Sequence, residues 1–290
     1  MSKVKFLTAV IFVAALYLPA AADTADYRNV KSFDGEIISY SVFGKSDTTL
    51  VFVHGWSCDS RYWREQIPYF AKKYKVVTID LAGHGHSSQG RKVYSLESFG
   101  HDVKAVVEDV NAAKAILIGH SMSGEIVAKA AGLMPERVIG IIGVDSIQNV
   151  EDTMPKEQFK QMVDGFQKDF KGEVKNFVEQ MFGRDIKPEL KKWIIDDMSC
   201  EPPYIAISAF KEYVMKFENK GIANIFTEVK VPVRCVNADL WPTNPDANRK
   251  YMSSFEVAII KGAGHFVMLE RPKEFNKLLD SSIKEIIRKN

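Results

Sequence analysis

The 290-residue sequence has only three cysteines, Cys58, Cys200 and Cys235, scattered along the chain. That excludes a disulfide scaffold and a zinc cage, both of which need clustered cysteine at fixed spacing. It also leaves at least one cysteine unpaired, so no disulfide essential to folding is expected. Charge of one sign is lacking as well. Lysine and arginine total 39 against 37 acidic residues, a net charge of +2. A nucleic-acid binder carries a clustered basic excess, so nucleic acid is not an expected partner. Repeats, low-complexity tracts and long linkers are absent. With 46% hydrophobic and 26% charged residues, the chain has the composition of an ordinary folded protein.

The apolar run at the amino terminus, Phe6 to Leu18, is 13 residues long. A membrane-spanning helix needs roughly 20. Lys3 and Lys5 precede the run, and Pro19-Ala20-Ala21-Ala22 follows it. A basic start, a short apolar stretch and an Ala-x-Ala site form the order of a secretory signal. Residues 1–22 are therefore expected to be removed, leaving one domain over 23–290, exported to the periplasm or secreted. No cysteine lies beside the cleavage site to carry a lipid, and no stable membrane insertion is expected afterwards. Removal takes away two lysines and no acid, which erases the small positive excess.

Downstream, short apolar runs alternate with stretches of helical spacing. Lys31 to Phe43 reads as a hairpin turning at Asp34-Gly35, where glycine tolerates positive φ. Leu50–Val53, Val76–Ile79, Ala115–Ile118, Val138–Val144, Val231–Val236 and Phe255–Ile260 read as strands buried on both faces. Arg61–Lys73, Leu96–Asn111, Gly124–Leu133 and Phe275–Ile287 carry apolar residues at helical spacing. This alternation predicts an α/β fold with a mostly parallel central sheet and helices on both faces. Residues 147 to about 226 break the rhythm. They hold no convincing buried strand and place Phe159, Met162, Phe166, Phe177, Met181 and Trp193 at helical spacing. A helical lid inserted before the last two strands is predicted there.

Chemistry is expected where strands end, because ligands of open parallel sheets bind outside the carboxyl ends of the strands. Gly119-His120-Ser121-Met122-Ser123-Gly124 joins a predicted strand to a predicted helix. Small residues around Ser121 permit a sharp turn, and the helix N-terminus behind it favours negative charge. His54-Gly55-Trp56 follows an earlier strand, and Asp80-Leu81-Ala82-Gly83-His84-Gly85-His86-Ser87 the next. His84 and His86 lack further ligands at metal spacing, so a structural turn is the better reading and no metal is expected. Gly262-Ala263-Gly264-His265-Phe266 follows the last strand. A histidine on such a loop can reach a serine nucleophile as its general base.

Together these segments resemble the α/β-hydrolase superfamily, in its lidded branch with a serine nucleophile, from about Tyr27 to the end apart from the lid. The elbow departs from the G-x-S-x-G pattern in having Ser123 at the second glycine. The resemblance implies the α/β-hydrolase fold and a Ser-His-Asp mechanism, with Ser121 as nucleophile and His265 as base. It also implies an oxyanion hole from the backbone N–H groups of Trp56 and Met122. No metal or organic cofactor is implied. The acid is less plain. Counting from Pro232, the family's usual aspartate position holds Trp241, and Asp239 lies two residues earlier. Asp239 is the expected acid, with Asp145 at the end of Val138–Val144 as runner-up. Asp246 reads instead as a helix cap.

An aspartate nucleophile, which opens epoxides or displaces halide in related proteins, is replaced here by Ser121. A serine hydrolase acting on a small carboxylic ester, lactone or thioester is the resulting expectation, with a small-molecule acyl substrate as partner. The alternatives are a catalytically weak ligand-binding protein of the same fold, and an acyltransferase. Ester turnover lost in Ser121→Ala separates enzyme from binder, and products formed with added alcohols separate hydrolase from transferase. Phe159, Phe166, Phe170, Phe177, Met181 and Phe182 line an acyl pocket or form the lid's own packing face. Cys58 lies near the HG turn as a pocket-border or spectator residue.

Overall fold

The computed structural model describes residues 25–217 and 221–290. The expected signal segment, 1–22, lies outside them. The strands are β1 (Asp26–Lys31), β2 (Ile37–Phe43), β3 (Thr48–Val53), β4 (Lys75–Ile79), β5 (Lys114–His120), β6 (Val138–Val144), β7 (Val233–Ala238) and β8 (Phe255–Ile260). They form a sheet of order β1-β2-β4-β3-β5-β6-β7-β8. β1 and β2 pair antiparallel, as does β2 with β4, and every later pairing is parallel. The β1–β2 connection turns at Gly35, whose φ of 92° suits a residue without a Cβ.

The central strands are apolar because both their faces are covered. In β5 every residue from Ala115 to His120 is buried, so side chains pointing to either face meet packed neighbours. The covering helices are α1 (Ile67–Phe70), α2 (Leu96–Asp109) and α3 (Ser123–Leu133), then after the insertion α9 (Pro245–Arg249), α10 (Val267–Glu270) and α11 (Pro272–Lys289). Ser95 and Ser98 cap the start of α2 reciprocally, each side chain bonding the other's backbone N–H. α11 packs close to β6 because residue 140 is glycine. A Cβ there would lie 2.6 Å from Ile286.

The insertion between β6 and β7 consists of α4 (Lys156–Lys168), α5 (Phe170–Glu179), α6 (Pro188–Met198), α7 (Pro203–Met215) and α8 (Gly221–Thr227). Among the described residues it contains no strand. No helix of the described residues is long and apolar enough to cross a membrane.

One expected helix is broken. Arg61–Lys73 forms a 3-10 turn at Ser60–Trp63 and then the short α1. Pro68 sits in the first turn of α1, where its missing N–H does no harm. Inside a continuous helix the same ring would remove a bond and clash with the preceding turn. The antiparallel edge is tied to the rest by a buried ion pair. Arg91 meets both oxygens of Asp102, at 2.7 and 2.9 Å, and Ser32 Oγ donates to the same carboxylate.

Candidate active site

Ser121 sits at the turn from β5 into α3 with φ of 55°, in the left-handed region that a non-glycine residue enters only when its surroundings fix it. Three bonds do so. Its N–H donates to Val144 O at 3.0 Å. Its carbonyl accepts from Gly124 N at 3.0 Å and from Ser146 Oγ at 2.6 Å. The glycines that the turn requires are Gly119 and Gly124. A Cβ at the first would lie 2.1 Å from Ser123 O, and at the second 2.1 Å from Ser146 Oγ. Position 123 needs no glycine. Ser123 is wholly buried, and its hydroxyl donates to the carbonyl of His54. The departure from the family pattern thus links the elbow to the HG turn.

That turn lies directly against the serine. A Cβ at Gly55 would approach Ser121 Cβ to 3.1 Å. His54 is structural. Its Nε2 accepts from Leu81 N, so Nδ1 carries the proton and donates to Gly55 O at 2.8 Å. Burial lowers its pKa, in keeping with a neutral ring. The backbone N–H groups of Trp56 and Met122 make no hydrogen bond to any other described residue. Both residues are buried and both line the cavity that contains Ser121 and His265.

His265 lies on the loop between β8 and α10. Its Nδ1 is 2.6 Å from Oδ2 of Asp145, which follows β6. The other oxygen of Asp145 accepts from Ala238 N at 2.8 Å, and Asp145 N–H donates to Val236 O. β7 therefore orients the carboxylate although it does not supply it. Asp239, the acid expected from chain spacing, is exposed and does not meet His265. Its carboxylate accepts from Gly262 N at 2.7 Å and braces the loop instead. Trp241, at the family's usual acid position, packs its ring edge-on to His265 at 5.3 Å.

Two positioning residues went unnoticed in the sequence. His120 Nε2 donates to the carbonyl of His265 at 3.0 Å, and the two rings lie 4.6 Å apart. Burial and the neighbouring His265 depress the His120 pKa well below its ordinary value, so this ring stays neutral. Glu270 accepts from Gly264 N at 2.9 Å and from Gly183 N at 3.1 Å. It clips the histidine loop to the insertion, which also accepts from His265 N through Met181 O at 2.7 Å. Gly264 admits this approach, since a Cβ would lie 2.2 Å from Gly183 N. Histidine at the x of G-x-S, and Met-Leu-Glu after the loop, are the only sequence signals for either role.

The insertion roofs the site. Trp56 Nε1 donates to Ala206 O of α7 at 2.7 Å. Its ring packs against Phe166, Phe170, Phe177 and Phe210. Beneath this aromatic cluster is a cavity of about 60 Å³, lined chiefly by apolar side chains. Phe177 and Met181 line it, whereas Phe159 and Phe182 pack against the core. Cys58 borders it, its Sγ donating to Trp56 O and its pKa raised well above normal by burial.

The Asp80 turn is occupied with its own backbone. Asp80 accepts from Ser60 N and His86 N at 2.8 and 2.9 Å, and Ser87 Oγ donates to Asp80 O. His84 Nδ1 donates to Ala82 O at 3.0 Å. Among the described residues, no group of three His, Cys, Asp or Glu side chains is placed to hold a metal ion.

Comparison with known proteins adds the family. The sequence model of the alpha/beta hydrolase fold matches residues 48–192, half of the chain. A 102-residue stretch is 35% identical to the dihydrolipoyllysine-residue acetyltransferase component of an acetoin cleaving system from Pseudomonas putida. That match spans 35% of this chain and only 28% of the relative. Over 262 residues the chain is 26% identical to the pimeloyl-[acyl-carrier protein] methyl ester esterase of Aeromonas hydrophila subsp. hydrophila, covering 84% of this chain and 98% of that one. In structure it is similar to the esterase EaEST of Exiguobacterium antarcticum, with a TM-score of 0.79 at 17% identity over 88% of this chain and 98% of that one. With the elbow, the HG turn and the late histidine loop all inside one such sheet, the chain belongs to the alpha/beta hydrolase fold family.

Proposed function

We propose that this protein is a serine hydrolase of small carboxylic esters, working through Ser121, His265 and Asp145. The observation that carries the reading is the contact between His265 Nδ1 and Asp145 Oδ2 on the wall of the cavity that holds Ser121. A carboxylate on Nδ1 fixes the proton there and leaves Nε2 to accept. Similarity to ester hydrolases such as the Aeromonas enzyme supports the reaction class.

In the proposed cycle Ser121 Oγ attacks the ester carbonyl carbon while its proton passes to Nε2 of His265. The carbonyl oxygen becomes an oxyanion, to which the N–H groups of Trp56 and Met122 donate. Both N–H groups are fixed by the fold before reaction, and donors of this kind are each worth about 3 to 4 kcal/mol of barrier. Collapse of the intermediate breaks the bond to the leaving alcohol, which takes the proton back from His265. A water then gives its proton to His265 and its oxygen to the acyl carbon; collapse of this second intermediate breaks the bond to Ser121 Oγ, which takes that proton from His265 as the carboxylic acid leaves. The small apolar cavity fits a short acyl group, with the helical insertion acting as its lid.

The test is hydrolysis of 4-nitrophenyl acetate with intact-mass analysis of the quenched enzyme. The reading expects turnover and an acetyl adduct on Ser121, both lost in Ser121→Ala. Turnover that survives Ser121→Ala rejects it, as does a folded enzyme that binds such esters without turnover.

A further inference from the structure

A second cavity, of about 300 Å³, opens beside the first and shares a wall with it. Tyr213 of α7 lines both. Trp241, the residue that packs on His265, lines the second. Glu125, on the first turn of α3 four residues after Ser121, lines it too. Glu125 is 3% exposed, and its Oε2 has no hydrogen-bond partner among the described residues. A buried carboxyl oxygen without a partner is costly, and a ligand in the cavity can supply one.

The rest of the lining says what kind of partner fits. Tyr213, Phe217 and Trp241 give aromatic walls, and Asp152 gives a second acidic side chain. Aromatic faces together with carboxylates attract an ammonium group, through the negative face of each ring and direct charge attraction. Burial raises the Glu125 carboxyl to about 8, which favours its protonated form near neutrality. A cation arriving there would draw off that proton and become the counter-ion. The cavity's place in the mechanism follows from His265. The leaving alcohol departs with a proton from that ring, and Trp241 puts this cavity on the ring's flank.

We propose that the cavity between α3, α7 and the Trp241 loop is a subsite for an ammonium-bearing leaving group. The substrate class is then an ester of a short acyl chain with a cationic amino alcohol. This rests on the ester-hydrolase reading above, and the test separates the two.

The test has two arms. In the first, kcat/KM is measured for two acetates of matched shape, 2-(trimethylammonio)ethyl acetate and the uncharged 3,3-dimethylbutyl acetate. The wild type is expected to prefer the charged ester by at least tenfold. Glu125→Gln, which keeps the shape and the neutral form that burial favours, is expected to bring the ratio near one. In the second, tetramethylammonium is titrated calorimetrically into Ser121→Ala, which needs no catalysis. Binding weakened at least tenfold by adding Glu125→Gln supports the subsite. Equal rates for the two acetates, a preference untouched by Glu125→Gln, or no binding heat would each overturn it. A wild type that hydrolyses the neutral acetate yet shows any of these keeps the hydrolase reading and loses only the subsite.

Discussion

Asp145 reaches His265 from the end of β6, with Oδ2 at 2.6 Å from Nδ1, and is itself held by the N–H of Ala238 at the end of β7. Two neighbouring strands therefore build one carboxylate–imidazole contact. Asp145→Asn keeps the shape but lets the ring adopt the wrong tautomer, and kcat on a simple ester is expected to fall by about 10⁴. Asp239→Asn keeps an acceptor for Gly262 N–H and should leave kcat within a fewfold of wild type. Steady-state rates of the two variants side by side decide between the carboxylates. An inert Asp145→Asn change with a crippled Asp239→Asn variant would reverse the assignment.

The Arg91–Asp102 pair lies outside the proposed catalytic set and holds the antiparallel edge. The arginine side chain is 4% exposed and the aspartate fully buried. Removing one partner of a buried pair leaves the other charge uncompensated, which typically destabilises by about 3–5 kcal/mol. Arg91→Met is expected to lower the urea midpoint by that equivalent. Below the shifted midpoint, kcat should be unchanged. Urea unfolding followed by fluorescence, with an assay at low temperature, checks both halves.

Glu125 gives stability a pH dependence of definite sign. Its ordinary carboxyl value of 4.5 is raised to about 8 by burial. The folded state thus binds a proton that the unfolded chain releases above about pH 4.5. That contribution is complete below the unfolded value and is lost as pH rises through about 8. Glu201 is raised to about 8 too, first by burial and then by Asp59 and Asp197, and acts in the same direction. Glu125→Gln removes one of these two contributions. Between about pH 6 and 9 its unfolding midpoint should therefore fall less than that of the wild type. Parallel pH profiles would contradict this.

The strands were legible because parallel strands buried on both faces read as continuous apolar runs, as in β5 and β6. Arg61–Lys73 was not, because its apolar residues keep helical spacing across Pro68 while the backbone obeys the proline. The turns that carry Ser121 and His265 were legible because local glycines mark them. The carboxylate on His265 was harder, since chain spacing from Pro232 cannot show which strand end lies beside the histidine. The folded loop does so: although β7 lies between β6 and β8, the loop after β8 carries His265 back to Asp145 at the end of β6. The role of Ser123 was not legible, since its bond to His54 O depends on the approach of a turn 69 residues away. Glu125 carried no signal at all, being one acid in the first turn of a helix where acids are common.

The central claim is that Ser121 is an activated nucleophile. Its most direct test is labelling of the folded protein with a fluorophosphonate, followed by peptide mapping. The account predicts one adduct, on Ser121, absent from Ser121→Ala and slowed by orders of magnitude in Asp145→Asn. A folded wild-type protein that takes no label, or a label that persists in Ser121→Ala, would contradict it.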